Sequence, residues 1–188
     1  MKKTLASLLL GCAVAAPALA AEEYAVDSSH TFPTFEVRHL NFSTQRGRFN
    51  KTSGLIALDR AKKTGSINLL IDVASLDMGF DTWDEHMAAE EWFDTANHPT
   101  ISFTSKSLQF QGDRVVGADG TLTIRGVSRP VQLKVENFRC GPHPMLKKVM
   151  CGADVSTTIK RSEFGMKKAI PAVSDEVRIQ SPIEAFKN

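Results

Sequence analysis

The chain has 188 residues, of which 42% are hydrophobic and 23% are charged, a balance typical of a folded domain with a sizeable core. Lys2 and Lys3 supply the whole formal net charge of +2, so residues 21–188 are formally neutral. This neutrality, without any cluster of lysine and arginine between aromatic residues, excludes the basic surface of a nucleic-acid-binding protein.

The first twenty residues predict a secretory signal peptide. Lys2 and Lys3 precede an apolar run from Leu5 to Ala16, and Ala18 and Ala20 form a small-residue cleavage pattern. Lipidation at Cys12 is the alternative, but it would shorten the apolar run to residues 5–10. We therefore expect removal of residues 1–20 and export of residues 21–188 to the periplasm as a single domain.

Asp27-Ser28-Ser29-His30 contains the residue types of a hydrolase triad. The sequence has no G-x-S-x-G nucleophile motif, and the segment has the composition of a strand end followed by a turn. We therefore expect a structural turn here and predict no catalytic residue.

Apolar and polar residues alternate with a period of two through most of the chain, which predicts half-buried β-strands. The predicted strands contain residues 35–39, 67–73, 101–104, 122–124, 131–135, 155–159 and 177–183. One apolar and one polar face per strand is typical of an antiparallel sheet that is wetted on one side. About eight such strands must close into a barrel or fold into a sandwich to hide the apolar face.

Residues 82–99 interrupt this alternation and predict a short helix. Thr82-Trp83-Asp84-Glu85 fits a capping box, and Trp83 and Met87 share one face, so we expect about ten helical residues before Pro99. His86 with Glu90, and Asp94 with His98, have the spacing of metal ligands. Since no compact third ligand accompanies either pair, we predict scaffolding and no metal site.

Cys140 and Cys151 are the only cysteines after residue 20. In an oxidising compartment a disulfide is the expected state of such a pair, and Pro142 and Pro144 between them suit a turn. A metal site with His143 is the alternative, but the spacing lacks the close ligand pairs of zinc modules. We therefore predict the disulfide.

The order of motifs from about Tyr24 to Phe186 resembles the YceI-like family of exported polyisoprenoid-binding proteins. The motifs are His30-x-x-x-x-Phe35-x-Val37-x-His39-Leu40, Gly47-x-Phe49, Ile71-Asp72-x-x-Ser75, Asp84-x-His86-Met87, Phe93-Asp94, His98-Pro99-x-Ile101-x-Phe103-x-Ser105, Gly120-x-Leu122-Thr123-Ile124-x-Gly126-Val127, Pro130-Val131 and Ile159-x-Arg161-x-x-Phe164-Gly165-Met166. Each motif alone is weak, whereas their joint order behind a signal peptide is specific.

The resemblance implies an all-β fold: an eight-stranded antiparallel barrel, lipocalin-like, with one short helix after the fourth or fifth strand, against one end. It also implies an apolar interior that holds a long isoprenoid chain, such as that of ubiquinone or a polyprenyl phosphate, as a carrier or reservoir. The only bound molecule expected is this lipid, with transient exchange with a membrane. A homodimer is left open.

With the resemblance, the inward strand faces and the helix define a candidate ligand site. The expected ligand-binding residues are Phe35, Val37, His39, Phe49, Ile71, Trp83, Met87, Trp92, Phe93, Phe103 and Phe164. His39 would contact the head group or make an internal hydrogen bond. Two other readings stay open: an enzyme acting on an apolar substrate through His30, His39 or His86, and a ligand-free interaction module with a packed barrel.

Overall fold

The computed structural model describes residues 21–188, so the predicted signal peptide and Cys12 lie outside the described residues. The β-strands are β1 (Glu22–Val26), β2 (Thr34–His39), β3 (Ser43–Phe49), β4 (Thr52–Asp59), β5 (Thr64–Asp72), β6 (Leu76–Asp77), β7 (Thr100–Gln111), β8 (Arg114–Ile124), β9 (Val127–Pro142), β10 (Val149–Lys160) and β11 (Glu176–Lys187). The helix α1 spans Asp81–Ala88, and two short 3-10 helices span Val73–Ser75 and Arg161–Phe164. Within residues 21–188, no helix has the length and apolarity needed to cross a bilayer.

A closed ring of antiparallel strands forms the body of the molecule. The ring follows the order β1, β4, β5, β7, β8, β9, β10 and β11, and β11 pairs back onto β1 with Ala25 opposite Phe186. The sheet therefore closes into a barrel and does not fold into a sandwich. The prediction of an all-β, eight-stranded antiparallel barrel is confirmed.

Three strands of the ring are interrupted at the end of the barrel that carries α1. At this end β11 pairs with β2, β2 pairs with β3, and β3 pairs with β6. The strand β11 contacts β2 at Arg178–Gln180 and contacts β1 further along its length. The breaks fall at the turn around Asp27, at Asn50–Lys51 and at the 3-10 helix Val73–Ser75. Because these breaks divide the strands into more segments, α1 follows β6. The sequence analysis had expected the helix after the fourth or fifth strand.

Inward-facing side chains form two apolar clusters along the barrel. The larger cluster lies toward α1 and includes Phe35, Phe49 and Phe164, and the smaller one lies toward the other end and includes Tyr24 and Leu58. Burial raises the pKa of Tyr24 to about 12, and its hydroxyl donates a hydrogen bond to Glu22 at 2.6 Å. The interior therefore has two halves with separate packing.

The start of α1 differs from the predicted capping box. Phe80 is the N-cap residue and makes no side-chain hydrogen bond to the helix, because the chain becomes helical before Thr82. The Asp84 carboxylate instead accepts a hydrogen bond at 2.6 Å from the backbone N–H of Met78. This contact fixes the connection between β6 and the first helical turn.

The predicted disulfide between Cys140 and Cys151 is confirmed. The two residues are directly opposite on β9 and β10, with Cα atoms 4.0 Å apart. His143 Nδ1 accepts hydrogen bonds from the backbone N–H groups of Met145 and Leu146 in the hairpin loop. His143 therefore stabilises the hairpin loop. Both sulfur atoms are bonded to each other in the disulfide, so they are not available as ligands for the alternative metal site.

Replacing both cysteines by serine should lower the free energy of unfolding by about 3 kcal/mol, because the disulfide restrains a short loop of the unfolded chain. Urea unfolding of both proteins measures the difference. Dithiothreitol should destabilise the original protein and leave the double variant unchanged. A difference under roughly 0.5 kcal/mol would contradict the expected contribution.

Candidate functional site

A cavity of about 520 Å³ occupies the half of the barrel next to α1. Its lining includes buried apolar side chains such as Ile101, Leu122 and Ile124. It reaches the surface beside Trp83, which is 49% exposed, and beside the exposed Ala169. The cavity is therefore an apolar chamber with a mouth at the α1 end of the barrel.

Nine of the predicted ligand-binding residues line this cavity. They are Phe35, Val37, His39, Phe49, Ile71, Trp83, Met87, Trp92 and Phe93. The strand residues come from inward faces of β2, β3 and β5, while the others come from α1 and the segment that follows it. Their contact with a ligand stays a prediction.

Phe103 and Phe164 do not line the cavity, contrary to the prediction. Phe103 points inward from β7, but its ring lies over Gly120 on β8, where a Cβ atom would find no room. Phe164 lies in the 3-10 helix after β10 and is 1% exposed within the larger core cluster. Both residues therefore belong to the core packed around the chamber.

An aromatic wall bounds one side of the cavity. The ring centroids of Phe35 and Phe49 are 5.9 Å apart, and Phe93 lies 5.9 Å from the first and 5.3 Å from the second. The two contacts of Phe93 are edge-to-face, the arrangement that aromatic quadrupoles favour. This cluster joins the segment after α1 to β2 and β3 and holds the wall in place.

Further lining residues were missed by the sequence analysis. Those on strands, such as Leu122, Ile124, Val177 and Ile179, face inward on predicted strands, so the alternation itself could have identified them. Met166, Ala169 and Val173 come from the segment between β10 and β11, for which no periodic pattern exists. Only the folded chain brings this segment across the end of the barrel.

Arg161 is the charged side chain of the cavity wall, and it is 3% exposed. Its guanidinium donates hydrogen bonds of 2.8–2.9 Å to the carbonyl oxygens of Ser174, Met166 and Val173. It also lies 5.4 Å from the ring centroid of Trp92. Burial lowers the pKa of Arg161, and the charge of Asp175 opposes this shift. The residue therefore fastens the segment after β10 beside the chamber.

Two histidines contribute polar atoms to the cavity. His86 Nε2 accepts a hydrogen bond at 3.0 Å from Trp92 Nε1–H, and the imidazole packs edge-on against Trp83. His39 lies at the end of β2, where its backbone pairs with Val173. His86 thus makes a hydrogen bond within the segment that carries α1, which fits the predicted scaffolding role. A contact between His39 and a ligand head group stays a prediction.

Asp27, Ser29 and His30 form a hydrogen-bonded turn. Ser29 Oγ and Asp27 Oδ2 both approach the same ring nitrogen of His30, at 3.0 and 2.8 Å. A hydrolase triad needs the hydroxyl and the carboxylate on opposite ring nitrogens, so this geometry is not a proton relay. The structural turn that the sequence predicted is what forms.

Glu184 joins this turn from β11, with a carboxylate oxygen 3.9 Å from His30 Nδ1. Ligand-type atoms of Asp27, His30 and Glu184 all lie within 4.8 Å of one another. The hydrogen bond from His30 lowers the pKa of Asp27, and the same bond, with the charge of Glu184, raises the pKa of His30. Sequence reasoning missed Glu184 because it is distant along the chain.

A second cavity of about 70 Å³ lies in the other half of the barrel. Leu69 lines the small cavity, and Ile71, two residues further on the same face of β5, lines the large one. The two spaces are thus stacked along the barrel axis. The interior is partly hollow, unlike the fully packed barrel considered from the sequence.

A closed antiparallel barrel with an apolar chamber open at one end defines the class of small-ligand-binding barrels. Within this class, the model of the YceI-like domain matches residues 24–185, and the chain belongs to the YceI-like family. A UPF0312 protein of Shewanella putrefaciens is 31% identical over the full length of both chains.

Two solved structures have similar folds. BcnA of Burkholderia cenocepacia is 29% identical, with a TM-score of 0.71 over 85% of this chain and 99% of the other. A polyisoprenoid-binding domain from Saccharophagus degradans is 20% identical, with a TM-score of 0.65 over 88% of this chain and 98% of the other. The second likeness supports the fold alone.

Replacing His30 by glutamine should destabilise the protein more at about pH 5.5 than at about pH 8.5. A histidine whose pKa is raised by folding stabilises the protein fully below its unfolded pKa of about 6.5, and loses this effect as the pH rises through its folded pKa. Urea midpoints of both proteins at the two pH values provide the measurement. An equal loss at both would show that the charge of His30 is immaterial.

Proposed function

We propose that this protein holds a long isoprenoid lipid in its barrel, as a carrier or reservoir, and does not catalyse a reaction. The apolar cavity of about 520 Å³ with an open mouth is the observation that supports the proposal most strongly. Its volume lies within the range of roughly 300–1,000 Å³ found for small-molecule sites. Burial of the lipid tail displaces water from apolar carbon, which stabilises the complex by ~0.8 kcal/mol per methylene.

The size of the cavity bears on how a long chain would be held. A tail longer than the large cavity extends toward the small cavity behind Leu69 and Ile71, or remains partly outside the mouth. A bilayer offers the same apolar environment to the tail as the barrel does, so transfer in either direction has a small driving force. Transient exchange with a membrane follows from this balance.

The polar lining residues provide the proposed contacts for a head group. His39, Gln45 and Arg161 lie among the apolar side chains of the cavity. Their N–H groups are donors, and both a quinone carbonyl and a phosphate oxygen are acceptors. A ubiquinone-like lipid and a polyprenyl phosphate therefore both fit this donor set.

Export to the periplasm is part of the proposal. The N-terminal sequence has the pattern of a signal peptide. The disulfide between Cys140 and Cys151 is of the kind that persists in oxidising compartments. A protein in that compartment has access to membrane lipids from the aqueous side.

Organic extraction of the purified protein, followed by mass spectrometry, tests the proposed function. The protein should release an isoprenoid lipid. Ile179→Trp should reduce the lipid to about a tenth or less, because the indole fills the cavity and the lost burial of a few methylenes weakens binding.

Arg178→Trp is the matched control, because Arg178 is the neighbouring residue and is exposed. This variant should retain the original stoichiometry. An extract without isoprenoid, or equal lipid in the Ile179→Trp variant, would contradict the proposal. Circular dichroism of both variants establishes that the barrel is intact.

A further inference from the structure

Large apolar side chains are exposed around the mouth of the cavity. They are Leu40, Phe42, Phe80, Trp83 and Ile170, and together they form what we call the apolar rim. Phe42 is 90% exposed and Phe80 is 60% exposed. Contiguous exposed apolar side chains mark a surface that contacts a protein or a membrane.

Backbone contacts place these residues at the mouth. The N–H of Leu40 donates a hydrogen bond at 2.6 Å to the carbonyl of Ala172, which joins the β2–β3 turn to the segment that contains Ile170. Lys168 pairs with Glu91 at 3.3 Å and so joins that segment to the residues after α1. Three separate parts of the chain thus present apolar tips around one opening.

The apolar rim is continuous with the candidate ligand site. Trp83 belongs to both, since it lines the cavity and is half exposed. Ala169, next to Ile170, also lines the cavity. An apolar tail leaving the cavity by this mouth would pass directly over rim side chains.

We propose that the apolar rim docks on the surface of a lipid bilayer, with Phe42, Phe80 and Trp83 inserted at the level of the head groups. Phenylalanine, leucine and tryptophan on a surface that enters the interface are typical of proteins that lie on membranes. This inference rests on the proposed function, because a barrel that receives a lipid tail from a bilayer must present its mouth to that bilayer. Docking there spares the tail from crossing water.

Charge favours a neutral bilayer over an acidic partner. Arg38, Lys167 and Lys168 are exposed basic residues within three positions of a rim residue along the chain, whereas residues 81–91 contain five acidic side chains. Lys168 is moreover engaged with Glu91. The rim therefore lacks an excess of positive charge, and docking is apolar and depends little on salt.

Flotation with phosphatidylcholine vesicles tests this proposal. The double variant Phe42→Ser and Phe80→Ser should bind the vesicles about a hundredfold more weakly, roughly tenfold for each side chain that no longer enters the bilayer. Neither residue lines the cavity. Serine is also a favoured residue at the N-cap position that Phe80 occupies, so α1 should be retained.

The matched control is the double variant Met145→Ser and Leu146→Ser. These residues are 82% and 59% exposed, but they lie on the β9–β10 hairpin at the opposite end of the barrel. The control should float like the original protein. Equal flotation of all three proteins, or flotation of none, would overturn the proposal.

A separate assay with geranylgeraniol, followed by tryptophan fluorescence, monitors the cavity. All three proteins should bind this prenol equally if the proposed function holds. If none binds it while only the rim variant loses flotation, membrane docking stands and the proposed ligand fails. Light scattering adds one more outcome: a dimer that dissociates only in the rim variant would make the rim a contact between two copies and overturn docking.

Discussion

Pairing of β11 with β1 is the constraint on which the rest of the structure depends. It joins the last strand to the first, so backbone hydrogen bonds continue around the ring and no strand edge is left within it. A closed ring of eight strands encloses an interior that side chains fill only in part. The ring fixes the distance between opposite walls, and the inward side chains decide how much of the space between them stays empty.

Interruptions of three strands give the two ends of the barrel different characters. At one end, β9 and β10 are continuous and are joined by the Cys140–Cys151 disulfide. At the other end, short segments, α1 and the residues after β10 surround the mouth, with Arg161 fastening them to backbone carbonyls. The end with continuous strands is therefore the nearly filled one, and the end built from shorter segments contains the large cavity.

Local patterns in the sequence predicted most of the fold. Alternation predicted the strands because side chains on a strand point to opposite faces. The expectation of export, with two cysteines after residue 20, predicted the disulfide. The turn around Asp27 was predicted from its residues, but the breaks at Asn50–Lys51 and Val73 were not, since an interruption of a strand pair is set by both partners. Thr82 fitted a capping box, yet the chain enters the helix earlier.

The candidate site was predictable where it lies on strands and helix. Phe103 shows why inward direction alone was insufficient: its ring lies along the wall over Gly120, and that choice depends on the neighbouring strand. Arg161 and the segment up to Val173 form part of the site only through contacts between distant parts of the chain. Such contacts leave no periodic trace in the sequence.

The helix α1 has little stability of its own. It has eight residues, no buried residue and no side-chain hydrogen bond at its N-cap, and helices this short are marginal in water. Trp83 and Met87 line the chamber, and Met87 also packs against the larger core cluster. Under the proposed function, a ligand in contact with Trp83 and Met87 would therefore stabilise the helix, and the ordered helix would strengthen ligand binding to the same degree.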